Sequence, residues 1–527
     1  TIQGTYTLVN RSNAPIEAIH VTTSPGVATG AIAFDRPSAN ALDDERHFYR
    51  VYTLERPLRP GDSLTMTFDV RAGSNGFREN GVSQAIASNG THLTSAWLPA
   101  IGYQMTRELL GPGERRDHGL PARTVIPGLD DASAPKDRYG AVMFDAVIGT
   151  AEDQTAVAPG TLLREWASAG RRYFHYATDA PIGREYGIFS ARYATREERW
   201  DGPNQSVAIR VFHHPTHTAN IDRYVRAIRA AFDYYAREFG PYPYCHLTFV
   251  EAPALGTGMH ADSSMITFTE GTALWRPAEN EDDFDLPFAV VLHEMAHQWT
   301  VPYAAVEGAP VLSEGVAWYY GMKAVEASRG PAQLERLLRF MRQPHPYPAI
   351  RRGEPLLRGL DPYMSYRRGP FALYAMSEYI GDDAVNAALR RMLEAHRPQE
   401  APLATMRDLY GELRAATPPQ YQYLLHDLFE VNTFWELETQ QVMAKQVPGG
   451  AWEVTLDVRA RKTVYDEAGV ETQVPIDDWI EMGVYAEGDP PWQPMYLEKH
   501  RISSPAGSIF VTVPRRPPRA AIGPPLL

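Results

Sequence analysis

The chain has 527 residues, too many for one hydrophobic core, so it divides into several domains. Its hydrophobic content of 44% is ordinary for a soluble globular protein, and a formal net charge of −13 argues against a nucleic-acid partner, which calls for a basic patch. The lone cysteine, Cys245, excludes an intramolecular disulfide, and no apolar run reaches the length of about 18 residues that a membrane-crossing helix needs.

The chain opens at Thr1 in strand-like sequence, with neither an initiator methionine nor a signal peptide. We expect a processed or excised piece, and the segment before it could hold an anchor. Thr5 to Val9 and Ser63 to Val70 alternate at the strand period, with turn clusters such as Arg59-Pro60-Gly61-Asp62 between strands. Leu109 to Lys136 reads as a long loop with one short helix. A β-rich N-terminal domain is therefore predicted over residues 1–205. The pattern then changes. Ile221 to Phe239 has helical spacing and stops at Gly240. Cys245 leads into a strand from Leu247 to Ala252 and is expected to be a small buried residue. Helices follow from Leu286 to Trp299, Val311 to Ser328, Pro370 to Ile380, Asp383 to Ala395 and Met406 to Ala416. They define a mainly helical domain over 206–435. Residues 436–527 return to alternating strands, such as Trp452 to Val458, and form a C-terminal β domain. The fold class is α+β and multidomain.

The chemistry concentrates in His293-Glu294-Met295-Ala296-His297. Histidines at i and i+4 share one helix face, with Cβ atoms roughly 5–6 Å apart. Both rings then reach one metal ion at about 2.0–2.1 Å. The apolar run Phe288 to Leu292 buries this helix, and buried histidines beside a buried glutamate need a partner, which a metal supplies. Leu312-Ser313-Glu314-Gly315 adds a carboxylate on the next helix. His293, His297 and Glu314 thus form a His₂Glu set for one Zn²⁺ per chain, leaving a fourth position for water or substrate. Glu294 stands beside the metal as a general base. The cluster His213-His214-Pro215-Thr216-His217 lies at a strand-to-loop exit and reads as structural.

Several ordered stretches resemble the gluzincin metallopeptidases of the aminopeptidase N family: Phe239-Gly240-Pro241-Tyr242-Pro243-Tyr244, His293 to Trp299, Leu312 to Ala317, and Tyr366-Arg367-Arg368-Gly369. The resemblance implies a thermolysin-like catalytic domain between two β domains. It also implies a peptide substrate and Tyr366 as the catalytic tyrosine. Thr257-Gly258-Met259-His260-Ala261 matches the family's exopeptidase motif GAMEN, so Gly258, Met259 and His260 are the substrate-binding candidates. Gly256 to Met265 would be an edge strand that pairs with an extended peptide. His260 stands where the family's glutamate holds the substrate's α-amino group, and a histidine lacks that fixed negative charge. Asp262 or Glu270 could replace it.

Two further departures concern the metal. The interval between the second histidine and the glutamate, residues 298–313, is shorter than the family's usual one. Trp318 stands one turn after Glu314, where thermolysin has a carboxylate, so another group, of which Glu307 is one candidate, would have to orient a ligand histidine. Glu471 to Glu481 and Tyr496 to His500 resemble bacterial members fused behind an ATP-binding-cassette-type permease. That likeness implies a membrane-tethered, extracytoplasmic domain whose permease segment lies outside these residues. The alternative to a peptidase is a catalytically silent peptide-binding or scaffold domain attached to the transporter. The sequence does not specify an oligomeric state.

Overall fold

A computed structural model describes all residues except 74–84, 88, 103, 105–108, 110, 111, 122–125, 133, 135–140, 276–283, 345, 348, 350, 352, 398–400, 487–493 and 524–527. Parts of the 109–136 stretch lie outside the described residues; within it, Pro112–Asp117 is a short helix.

The N-terminal region is built from antiparallel sheets. Ile2–Val9 pairs in register with Ser63–Arg71, and its residues alternate between half-buried and exposed, the signature of one wet and one dry face. Ile16–Thr22 pairs with Tyr49–Leu58 in a second sheet. Val21, Leu54, Leu64, Met66 and Val70 fill the space between the two.

A five-stranded mixed sheet leads into the helical region. Ala194–Asp201 and Ser206–His213 form a hairpin, so the expected boundary after residue 205 falls in its turn. Ser206–His213 then runs parallel to His246–Ala252, which runs parallel to Met265–Thr269. The helix Ile221–Phe239, found at its expected bounds, makes the first crossover. Parallel strands are covered on both faces, and Leu247, Phe249, Ile266 and Phe268 are all fully buried. Met259–Asp262 closes the sheet as an antiparallel edge strand.

The helices have local causes. The Asp285 side chain accepts from Phe288 N at 3.2 Å and Pro287 occupies the first turn, which starts Leu286–Ala296. A capping box between Thr405 and Asp408 starts Met406–Ala416. Gly330, at φ 82°, ends Val316–Arg329 and opens Pro331–Met341, a helix outside the sequence expectations. Gly369–Ile380 and Asp382–His396 occur within a residue of prediction.

The C-terminal strands form two sheets, one around Trp452–Tyr465 and one around Asp478–Tyr485. Val454, Leu456, Val458, Met482 and Val484 lie in the core that they share. Buried Lys462 joins this region to the helices. It pairs with Asp427 and with Asp478, which also accepts from Trp435 Nε1 at 2.7 Å.

Cys245 corrects the sequence reading. It is exposed, with Sγ 3.8 Å from His246 Nδ1. It sits in the approach to the strand, before the sheet covers the chain; full burial starts two residues later, at Leu247. Among the described residues, no helix is long and apolar enough to cross a membrane.

Candidate metal centre

His293 and Glu294 lie on the last α-helical turn of Leu286–Ala296, and His297 opens a tighter turn, His297–Trp299. The i, i+4 spacing sets the two imidazoles 4.8 Å apart between centroids, at 76°. Glu314 comes from a π-helical turn, Val311–Gly315, just before Val316–Arg329. Such single π-turns occur often at functional sites.

Glu314 Oε2 lies 3.1 Å from His293 Nε2 and 3.5 Å from His297 Nε2. A tetrahedral ion with bonds of about 2.0–2.1 Å has ligand–ligand edges of roughly 3.3–3.4 Å. The observed separations bracket that value, so this donor set fits Zn²⁺. The ligand atoms of the three lie within 4.8 Å of one another, and among the described residues they form the one group of three or more His, Cys, Asp or Glu side chains placed to hold a metal ion. Burial raises the Glu314 pKa, but hydrogen bonds from both histidines outweigh it and hold the carboxyl well below its usual range. Burial likewise lowers His297, yet its hydrogen bond to Glu314 and the charges of Glu294 and Glu314 leave it raised. The pocket is thus built to hold positive charge against Glu314, and a dication would take the place of protons.

Tyr366 lies on a second π-turn, Met364–Arg368. The two π-turns meet back to back through glycine. A methyl on Gly369 would lie 3.0 Å from Val311 Cγ1 and 3.4 Å from Gly315 Cα. Their backbones approach that closely because neither residue has a side chain. The glycine that ends both Leu312–Gly315 and Tyr366–Gly369 thereby sets Tyr366 against Glu314. The Tyr366 ring stacks on Tyr347 at 5.0 Å and lies 6.4 Å from the His293 ring. Burial, then the charge of Glu314 and a hydrogen bond to it, push the phenol well above its ordinary pKa, so it remains a donor.

The edge strand faces this cluster. Gly258 N donates to Thr269 Oγ1 at 3.2 Å, and Met259 and His260 pair with Phe268 and Thr267. His260 Nε2 is 3.3 Å from Asp262 Oδ1, and its side chain is 71% exposed. The Asp262 hydrogen bond outweighs burial and, with the charges of Asp262, Glu294 and Glu185, raises His260 to about 8. Asp262 is therefore engaged, and Glu270 accepts from Asn89.

No family model matches the chain. A 211-residue stretch is 27% identical to aminopeptidase 2 of Candida albicans, covering 37% of this chain and only 23% of that protein. An M1 zinc metallopeptidase from Deinococcus radiodurans superposes over 81% of this chain and 88% of its own, with a TM-score of 0.54 at 18% identity. Aminopeptidase A of Legionella pneumophila, solved with aspartic acid, superposes over 98% of this chain and 55% of its own, with a TM-score of 0.59 at 14% identity. The fold is that of the M1 zinc metallopeptidases. The expected sequence of β-rich region, helical middle and C-terminal sheets is the M1 arrangement.

Within this M1 fold, three side chains act in ways the sequence reading did not foresee. Gln298, next to His297, ties the helix to the edge strand. Its Nε2 donates to Asp262 O at 2.8 Å and its Oε1 accepts from Ser264 N at 3.0 Å. Its place in the His293–Trp299 stretch was the available signal. Trp299 Nε1 donates to Gly240 O at 2.8 Å, joining that stretch to Phe239–Tyr244. Glu307 is a correction: it accepts from Leu129 N and from Arg358 Nη1, each at 3.1 Å, and bonds no ligand histidine. His293 instead packs against Trp318, with ring centroids 4.3 Å apart at 20°. In the second histidine cluster, His217 Nδ1 lies 2.5 Å from buried Glu251, which pins the loop after Ser206–His213.

Proposed function

We propose that this chain is a zinc-dependent metallopeptidase that hydrolyses peptide bonds, with His293, His297 and Glu314 holding one Zn²⁺. The observation that carries the reading is the convergence of both imidazoles on Glu314 Oε2 at tetrahedral edge lengths, beside an unligated Glu294. A bound Zn²⁺ supplies Lewis acidity, polarising a carbonyl and making water acidic near neutral pH. Glu294, 7% exposed and adjacent to His293, takes the proton of the attacking water and passes it to the leaving amine. Tyr366 donates a hydrogen bond to the oxyanion of the tetrahedral intermediate. The outer side of Met259–Asp262 pairs with an extended peptide, with Gly258, Met259 and His260 against it.

The names of the similar proteins support a peptide substrate: one solved M1 metallopeptidase is described as bound to a Tyr-Ser-Ala substrate. Asp262 is paired with His260 and Glu270 with Asn89, so neither of these carboxylates is free for an α-ammonium, and cleavage does not depend on a free N-terminus. The three-domain division at 205 and 435 and a membrane permease segment outside these residues belong to the same proposal, on the strength of the C-terminal likeness.

The test is hydrolysis of paired peptides, free and N-acetylated, by wild type and Glu294→Gln, with zinc measured on each sample. Wild type cleaves both forms, and Glu294→Gln loses roughly 10²–10⁴-fold in rate with zinc retained. Cleavage of the free form alone would make the chain a strict aminopeptidase. One zinc per chain without hydrolysis of either would leave the binding-domain reading.

A further inference from the structure

We propose that Trp318 positions His293 for the metal by ring stacking, in the role that a hydrogen bond to the second ring nitrogen usually fills. The inference rests on the zinc reading of His293, His297 and Glu314. An imidazole that binds through Nε2 carries its proton on Nδ1, and ligand histidines nearly always give that proton to a carboxylate, a carbonyl or water. His293 Nδ1 is buried and has no hydrogen-bond partner in the protein, and Glu307 is held elsewhere by Arg358 and Leu129.

The ring is still confined. Trp318 covers one face of it, 4.3 Å away between centroids and 20° from parallel. Both groups come from elements that already build the site. Trp318 lies one turn after Glu314 along the same helical run, so one run supplies both a ligand and the platform under another ligand. Three residues on, that helix reaches the backbone of His293, where a methyl added at Gly321 would lie 3.6 Å from His293 N. The crossing of the two helices at this point lays the indole on the imidazole. Trp318 Nε1 is itself buried without a partner, so packing of the ring face, not a hydrogen bond, sets the indole's position.

The stack has a direction. An indole face is electron-rich and attracts positive charge. An imidazole that has given its lone pair to a metal is electron-poor, so the stack is stronger over a metal-bound ring than over a neutral, unligated one. Trp318 therefore favours metal binding as well as orienting the ligand.

Zinc affinity measured by competition with a chelator tests this on wild type, Trp318→Phe and Trp318→Leu, with the unfolding midpoint of each metal-free protein. Removing an orienting partner typically costs roughly 10–100-fold in metal affinity, and Trp318→Leu is expected in that range. Trp318→Phe keeps an aromatic face and falls between the two. Wild-type affinity in Trp318→Leu overturns the proposal. Should the leucine variant not fold, an unchanged affinity in Trp318→Phe does so. An affinity loss matched by an equal loss of metal-free stability would mark Trp318 as core packing only. A protein whose zinc affinity depends on Trp318 yet which hydrolyses no peptide would sink the peptidase reading and leave this one standing. Hydrolysis with unchanged zinc affinity in Trp318→Leu would do the reverse.

Discussion

His293 and Glu314 are gripped by helices packed on several sides, whereas Met259–Asp262, which faces them, is bonded to the sheet along one edge only. In the first region the side chains proposed to hold the metal, His293 and Glu314, are 5% and 23% exposed, and two glycines, an aromatic stack and a helix crossing fix their backbones. In the second, His260 is 71% exposed and owes its place to one ion pair and the Gln298 clamp beneath the strand. The difference separates two demands. Metal chemistry needs groups held to within a fraction of an ångström, and dense packing does that. Substrate choice needs an open edge whose side chains can change without disturbing the core.

The largest expected effect comes from emptying the rigid region. With free zinc at 1,000 times Kd, binding adds about 4 kcal/mol of stability, which excess chelator removes. Thermal unfolding with zinc and with chelator measures it, and coincident curves would mean that no tight site exists. Tyr366→Phe keeps the ring stack and deletes the oxyanion donor. A loss of about 10²–10³-fold in kcat is expected, roughly 2.7–4 kcal/mol, with zinc affinity unchanged. An undiminished kcat would take the tyrosine out of the chemistry.

Gln298→Ala sharpens the comparison, because it cuts the link between the regions. One buried backbone amide, Ser264 N, and one part-buried carbonyl, Asp262 O, lose their partner, a cost of about 1–3 kcal/mol. Hydrogen exchange should rise first at residues 259–265 and only later in Leu286–Ala296; equal rises would show that the clamp is not local. His260→Ala is the smallest effect, within about 0.5 kcal/mol for an exposed side chain. The pH dependence has a definite sign. His260 is raised from about 6.5 unfolded to about 8 folded, so its pairing with Asp262 stabilises most below about pH 6.5. That contribution fades as pH rises through about 8. An NMR titration of the ring should move back towards the ordinary value in Asp262→Asn; an unmoved titration would assign the shift to Glu294 and Glu185 instead.

The proposed metal ligands were legible as candidates because their logic is largely local. A histidine pair at i and i+4 shares a helix face whatever the rest of the chain does, and the apolar run before it signals burial. Ile221–Phe239 was read to the residue because its stop signal, Gly240, is also local, and Met406–Ala416, also read to the residue, starts at a capping box between Thr405 and Asp408 that the structure shows. The Val311 and Met364 turns were harder. A π-turn differs from an α-turn by one residue of hydrogen-bond register, and no residue type signals it.

The sequence by itself determined the order of β-rich, helical and β-rich regions, the candidate His₂Glu donor set with Glu294 beside it, and the histidine at position 260. All of these follow from periodicity, spacing or residue identity within short windows. Tertiary structure alone decided that Glu307 serves Arg358, that Cys245 faces solvent, that Gly315 meets Gly369, and that Trp318 lies on His293. Three of these are contacts between segments brought together by packing, and the fourth depends on where the sheet stops covering the chain. Their energies depend on distances and burial that no local pattern encodes.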